Sequence, residues 1–310
     1  MAPLPQARAT PAAPLPDRGA EAPLALLVLI WGLNFAVIKT AFAWVPPLGF
    51  NAIRFPIACL ALFVVLRVRG RSLRLPLPAL LRIGVLGVVG HLLYQVLFIR
   101  GLEVTLAGNA SVLLATTPIW TALFSAWAGH EHVDARVWGA ALASLVGIVL
   151  VALGGGTGIA LDRTALLGDL GLVLASVVWS AYTVGGRPLV ARHGALPVTA
   201  WALWLGTPPI LVVGLPSLTD VSLTSLPLAF WLRALYAGAL GLAAAYLIWY
   251  HAVRVIGSAR TALYSNVVPV VALAIAWVWL GERPAPLQLA GAALILVSLQ
   301  RVRAPRSGPR

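Results

Sequence analysis

His91, Tyr94, Gln95 and Phe98 recur at i, i+3, i+4 and i+7 within an otherwise apolar run, which places them on one helical face. Rings with a few hydrogen-bonding tips can grip a small solute. The imidazole of His91 adds a group that titrates near neutral pH and is a candidate proton carrier. The pattern returns further on: Tyr246, Trp249 and Tyr250 occupy i, i+3 and i+4. Trp31, Asn34 and Phe35 share that spacing, as do Trp179, Tyr182 and Thr183. Asn109, Thr116, Thr117 and Trp120 in one further segment, and Thr261, Tyr264, Ser265 and Asn266 in another, complete a set of six polar–aromatic stripes. Together they point to a shared central cavity that binds a small-molecule solute. Taken singly, each stripe also fits ordinary helix packing or an interfacial aromatic belt.

Other chemistries lack their residues. The nine carboxylates, Asp17, Glu21, Glu103, Glu131, Asp134, Asp162, Asp169, Asp220 and Glu282, fall in the tail, in joints or at segment ends. A carboxylate proton relay and a site built for cations are therefore not expected, and neutral, zwitterionic or anionic solutes are. Lys39, Arg54 and Arg100 could meet an anion, but their positions toward the outer third of their segments suit snorkelling to the interface equally. His130-Glu131-His132 is too short for a zincin site, which needs histidines four apart on a helix. No Ser–His–Asp grouping, phosphate loop, metal motif or cofactor motif is seen, so no catalysis, metal or cofactor is expected.

The elements that must position these residues are membrane helices. The chain is 60% hydrophobic and 10% charged, with mean hydropathy +0.93, whereas a soluble domain is roughly a quarter charged. Ten spans are read at 24–43, 48–67, 79–101, 104–128, 135–153, 167–188, 196–215, 228–253, 258–280 and 285–301. An all-α integral membrane protein in the lipid bilayer follows. Residues 1–23 are rich in Ala and Pro and read as a disordered extension, 154–166 as a linker, and 302–310 as a basic tail. The formal charge of +13 lies at span ends and in short joints, where arginine sets topology and does not signal nucleic acid. Arg67, Arg69, Arg71, Arg74 and Arg82 fall on one side with the tail arginines when there are ten spans and both termini are cytoplasmic. The single Cys59 excludes an internal disulfide.

The second half repeats the first. Pro118 and Pro269 lie 151 residues apart, as do Glu131 and Glu282, while Trp31 and Trp179 lie 148 apart. Residues 24–153 and 167–301 thus form two five-span units, and an odd number of spans gives the copies opposite orientations. Such 5+5 inverted repeats accompany alternating access around a midplane site. Pro118 and Pro269 interrupt the backbone ladder of spans four and nine and are candidate hinges for gating. Gly139, Ala143 and Gly147 form a small-residue stripe suited to close packing within the chain or in a homodimer; the protein is expected to be a monomer or homodimer.

Trp31-Gly-Leu-Asn-Phe, Arg54-Phe55, Pro118 before Glu131, Trp179-Ser-Ala-Tyr, and Pro269 before Leu280-Gly281-Glu282 resemble the EamA-type branch of the drug/metabolite transporter superfamily. The resemblance covers about residues 24–301 and implies ten helices in a 5+5 inverted repeat, with a central cavity and with spans five and ten peripheral. It also implies export or exchange of small metabolites, amino acids among them; an exporter in a bacterial-type inner membrane is expected. The small multidrug pumps of that superfamily carry a glutamate in their first span; here Asn34 to Lys39 contain no acid. Two other readings remain at this stage: a carrier of anionic solutes such as sugar phosphates or nucleotide sugars, and a membrane-embedded enzyme acting on lipid.

Overall fold

Helices begin where proline or glycine punctuates the apolar runs. Pro46, Pro76 and Pro227 immediately precede helices, since a proline near a helix start gives up an N–H that has no partner there in any case. Gly194 and Gly257, at φ of 86° and 87°, turn the chain sharply between helices in a conformation that side-chain-bearing residues rarely adopt. The computed structural model describes residues 18–70, 73–104, 110, 113–130, 133–154, 163–280 and 284–303. Among them there are helices and turns and no strands.

In chain order the helices are α1 (Arg18–Ala41), α2 (Pro47–Val68), α3 (Leu77–Gly87), α4 (Tyr94–Val104), α5 (Thr117–Trp127), α6 (Ala135–Gly154), α7 (Arg163–His193), α8 (Ala195–Gly214), α9 (Leu228–Leu235), α10 (Ala245–Ile256), α11 (Ser258–Ser265), α12 (Val268–Leu280) and α13 (Pro286–Arg303). Two π-helical stretches, Val88–Leu93 and Tyr236–Ala244, join α3 to α4 and α9 to α10 into continuous rods. Seven helical runs among the described residues, of 18 to 29 residues, are long and apolar enough to cross a membrane. Their outer faces expose Leu26, Leu29, Val64, Leu81, Val85, Leu174 and Val212. An apolar exterior of that extent belongs against lipid.

Three boundaries differ from expectation. The first helix starts at Arg18, inside the stretch expected to be unstructured, because Ala20 and Leu24 extend its buried face by a turn. The sixth span runs to His193, beyond the expected end at 188, and Pro188 lies inside the helix without ending it. The ninth is two helices, α11 and α12, parted by a turn at Asn266 and Val267 just before Pro269. The expected features at Asn109, Glu131 and Glu282 lie outside the described residues.

Packing repeats between the halves. Helix α4 lies on α7 as α10 lies on α1, α2 meets the second π-helix as α8 meets the first, and α5 rests on α7 as α12 rests on α1. Contacts also join the two halves at α2 with α8, α5 with α11, and α6 with α13, the first and last of these being equivalent helices. The last is the most extensive among the described residues. The predicted small-residue stripe is used there within the chain: Gly147 lets the helices approach until a methyl at that position would be 2.7 Å from the Gly291 carbonyl oxygen. Gly139, by contrast, has nothing within 4 Å.

Candidate functional site

The π-helices shape the centre of the fold. A π-turn places i→i+5 hydrogen bonds in the ladder and bulges the helix, often at functional positions. Each stretch carries or abuts two glycines at matching positions, Gly87 and Gly90 in the first half, Gly238 and Gly241 in the second, 151 residues apart. A methyl on Gly238 would stand 2.6 Å from the Arg54 carbonyl oxygen, and one on Gly241 would stand 2.8 Å from Asn34 Oδ1. Their counterparts press on the equivalent helices: a methyl on Gly87 would stand 2.6 Å from the Ala202 carbonyl oxygen, and one on Gly90 would stand 2.3 Å from the Tyr182 ring. The facing pairs, Arg54 with Ala202 and Asn34 with Tyr182, are each 148 residues apart. Two like scaffolds therefore face unlike side chains.

Between them lies a cavity bounded by both halves. Trp31, Phe35, Tyr94, Phe98, Trp179 and Tyr246 supply its aromatic wall, and Leu114, Leu242 and Val268 add apolar surface. Its polar groups are Asn34, Arg54, Gln95, Thr117 and Ser265, with Pro269 at one edge. The rings lock together: the centroid of Trp179 is 4.9 Å from that of Tyr94, 5.0 Å from Tyr246 and 5.8 Å from Trp31. Trp31 donates from Nε1 to the Gly241 carbonyl at 3.2 Å, tying α1 to the second π-helix.

Of the residues expected at the site, Trp31, Asn34, Tyr94, Gln95, Phe98, Trp179, Tyr246 and Ser265 reach the cavity surface. His91, Tyr182, Trp249, Tyr250 and Tyr264 are buried outside that surface. His91 stacks on Tyr246 at 5.3 Å and meets Tyr182 at 5.2 Å and Phe55 at 6.0 Å, with no hydrogen bond to either ring nitrogen. It backs the wall and does not line it. Trp249 donates to Thr183 Oγ1 at 3.0 Å, and the Tyr250 hydroxyl donates to the Tyr182 carbonyl at 3.0 Å. These bonds fix α10 on α7.

Arg54 corrects the expectation of a residue near the outer third, free to snorkel. It is 1% exposed. Its Nε donates to Asn51 Oδ1 at 2.8 Å and its Nη2 to Gln95 Oε1 at 2.7 Å, while Gln95 Nε2 donates to the Tyr246 hydroxyl at 2.8 Å. Phe50 and Phe55 flank the guanidinium at 5.7 and 5.9 Å. A polar chain thus crosses the cavity from the first half to the second. Sequence gave a signal for it, the Arg54-Phe55 pair, but depth had to come from the fold. The other two basic candidates stay away: Lys39 Nζ donates to the Leu102 carbonyl at 3.0 Å, and Arg100 pairs with Glu103 at 3.0 Å on an exposed face.

The proline breaks are bolted to neighbours. Pro118 has no N–H for the Leu114 carbonyl, and the Thr117 hydroxyl donates to that oxygen instead, at 2.5 Å. Thr116 and Ser176 share a hydrogen bond of 2.7 Å, and Thr121 donates to Ser180 at 3.0 Å, so α5 grips α7 through hydroxyls. Beside Pro269, Asn266 Nδ2 donates to Ser144 Oγ at 2.6 Å.

Comparison with known proteins agrees with this architecture. The EamA-like transporter family matches residues 21–153 and again 166–300. A probable terminal-alkyne amino-acid exporter of Streptantibioticus cattleyicolor is 32% identical, with 93% of this chain and 94% of that protein covered. A probable amino-acid metabolite efflux pump of Escherichia coli is 28% identical over 88% of this chain and 91% of that one. One solved crystal structure superposes with a TM-score of 0.75 at 22% identity, covering 92% of this chain and 96% of its own, and shares the fold. With lipid-facing helices, two matching repeats and a cavity between them, the chain belongs to the EamA-like transporter family, the drug/metabolite superfamily's multi-pass membrane carriers.

Proposed function

We propose that this transporter exports small polar metabolites, amino acids foremost, by alternating access around the aromatic cavity. In this reading ten helices form a 5+5 inverted repeat in a cell inner membrane, with both termini cytoplasmic and Pro118 and Pro269 as hinges. The observation that carries it is a cavity built jointly by the two halves, walled by rings and holding one buried guanidinium. Rings suit the apolar part of a metabolite, and the polar chain suits its charged end. The names of the relatives from Streptantibioticus and Escherichia lend support for amino acids as cargo. The repeated packing supports the inverted repeat, because contacts such as α4 on α7 and α10 on α1 recur with the partners exchanged.

A second reading, a carrier of anions such as sugar phosphates, draws on Arg54 alone, since Lys39 and Arg100 lie away from the cavity. Efflux from proteoliposomes loaded with labelled amino acids tests the first reading. Trp179→Ala should cut flux at least tenfold while the protein remains folded, as judged by gel filtration, because truncating a central ring in a desolvated site removes about 2 kcal/mol or more. Unchanged flux would reject the cavity as the path. Competition by sugar phosphates and not by amino acids would favour the second reading.

A further inference from the structure

Arg54 and Asn34 are polar cavity residues whose bonding among the described residues is incomplete. Arg54 has five N–H donors; two are bonded, from Nε and Nη2, and Nη1 makes no bond to any described residue. No described carboxylate pairs with it. A buried guanidinium without a counter-ion is costly and marks a place where an anion completes the structure. The flat fork of guanidinium matches a carboxylate in two parallel hydrogen bonds. Gln95 and Asn51 hold the fork from one side, and the Phe50 and Phe55 rings restrain its plane.

Asn34 is 8% exposed, and its Oδ1 is enclosed against Gly241 without a hydrogen bond. A half-turn of the amide exchanges oxygen and nitrogen at little steric change, so the side chain can present an acceptor to the cavity. Trp31, one helical turn away on α1, adds the negative face of its ring, which attracts a cation. Donor and acceptor thus sit on different helices, α2 and α1, of the same half, across one cavity. The pseudo-equivalent positions hold Ala202 and Tyr182, and neither reaches the cavity surface.

We infer that the solute is a monocarboxylate zwitterion, an α-amino acid with an apolar side chain, whose carboxylate is received by Arg54 and whose ammonium is received by Asn34 with Trp31. The inference rests on the proposed amino-acid reading and names its binding groups. One guanidinium balances one carboxylate, and no acidic residue is among the described lining, which leaves the ammonium to a neutral acceptor and rings. The apolar side chain then lies along Phe35, Phe98 and Leu114.

The test uses purified full-length protein and equilibrium binding of the twenty L-amino acids, followed by the methyl ester and the deaminated acid of the tightest binder. Wild-type protein should bind the ester and the deaminated acid each about 10- to 100-fold more weakly than the amino acid, the size expected for a charged hydrogen bond. Arg54→Gln should lower amino-acid affinity to that of the ester and leave the ester unchanged. Asn34→Leu should lower it to that of the deaminated acid and leave that acid unchanged. Arg54→Lys keeps the charge without the fork and should show an intermediate loss, which carries the test where the glutamine variant fails to fold. Equal losses for amino acid and ester in the Arg54 variants, or no loss for either, overturn the anchor while leaving amino-acid export standing. Failure of every amino acid to bind the wild type overturns the functional reading itself.

Discussion

Alanine at Gly241 and at Gly238 separates site from scaffold, although both glycines lie in one π-helix and both methyls would clash. At Gly238 the obstacles are the Arg54 carbonyl oxygen at 2.6 Å and Ile57 Cβ and Cγ2 at 2.9 Å. These are backbone and branched side chain, so relief requires the second π-helix and α2 to move apart. Overpacking of this kind costs about 1–3 kcal/mol, against a gain of about 0.5–1 kcal/mol from replacing a helical glycine. The net expectation for Gly238→Ala is a loss of about 1–2 kcal/mol. At Gly241 the obstacles are Asn34 Oδ1 at 2.8 Å, Cγ at 3.0 Å and Nδ2 at 3.1 Å, the mobile end of one side chain. That amide can swing away for about 0.5–1.5 kcal/mol, which the helical gain roughly offsets. Gly241→Ala should therefore melt close to the wild type yet show amino-acid affinity reduced about tenfold, because the displaced amide enters the space of the ammonium. Thermal unfolding followed by fluorescence, and binding or counterflow in proteoliposomes, measure the two effects separately. Equal stability of the two variants would refute the packing argument. Wild-type affinity in Gly241→Ala would refute the role given to Asn34.

His91→Phe removes two ring nitrogens that make no hydrogen bond and keeps the stack on Tyr246. Relief of buried unsatisfied groups and the larger ring oppose each other at about 1–3 kcal/mol each, so stability should stay within about 1 kcal/mol of wild type. Flux of this variant measured from pH 6 to 7 should follow the wild-type profile, since the ring lies outside the cavity surface; a profile flattened by the substitution would make His91 the proton carrier after all. Pro118→Ala frees the φ that proline fixes at the second residue of α5, where no helical hydrogen bond is lost or gained. Thermal stability should change little while turnover slows several-fold with binding affinity unchanged, and loss of affinity in place of turnover would remove the hinge role.

Much of the fold could be read from residue order, because helices are written in long apolar runs bounded by proline and glycine. The pairings of Trp31 with Trp179 and of Pro118 with Pro269 located corresponding places in the two halves. The stripes were less accurate as a map of the cavity. A set at i, i+3, i+4 spans a broad arc, and only part of that arc is open; Trp249 and Tyr250 use theirs to fasten α10 to α7. His91 lies within the first π-turn, where the rotation per residue departs from the α-helical value, so periodicity misjudged its direction relative to Tyr94. No composition signals such a turn. Arg54 was misplaced for another reason: depth along a span was inferred from distance to its ends, whereas Asn51, Gln95 and two phenylalanines enclose the guanidinium.

The paired glycines also bear on how such a chain can diversify. A duplicated unit must keep the same close fits in both copies, and Gly87 and Gly238 do so against backbone oxygens while Gly90 and Gly241 do so against side chains. The residues they face carry no such obligation. Asn34 and Arg54 in one copy have become, or descend from, Tyr182 and Ala202 in the other. The copies therefore differ at these positions: one half presents an amide and a guanidinium to the cavity, and the other buries a ring and a methyl outside it. Side chains opposite a glycine can change in one half alone and leave the shared skeleton untouched.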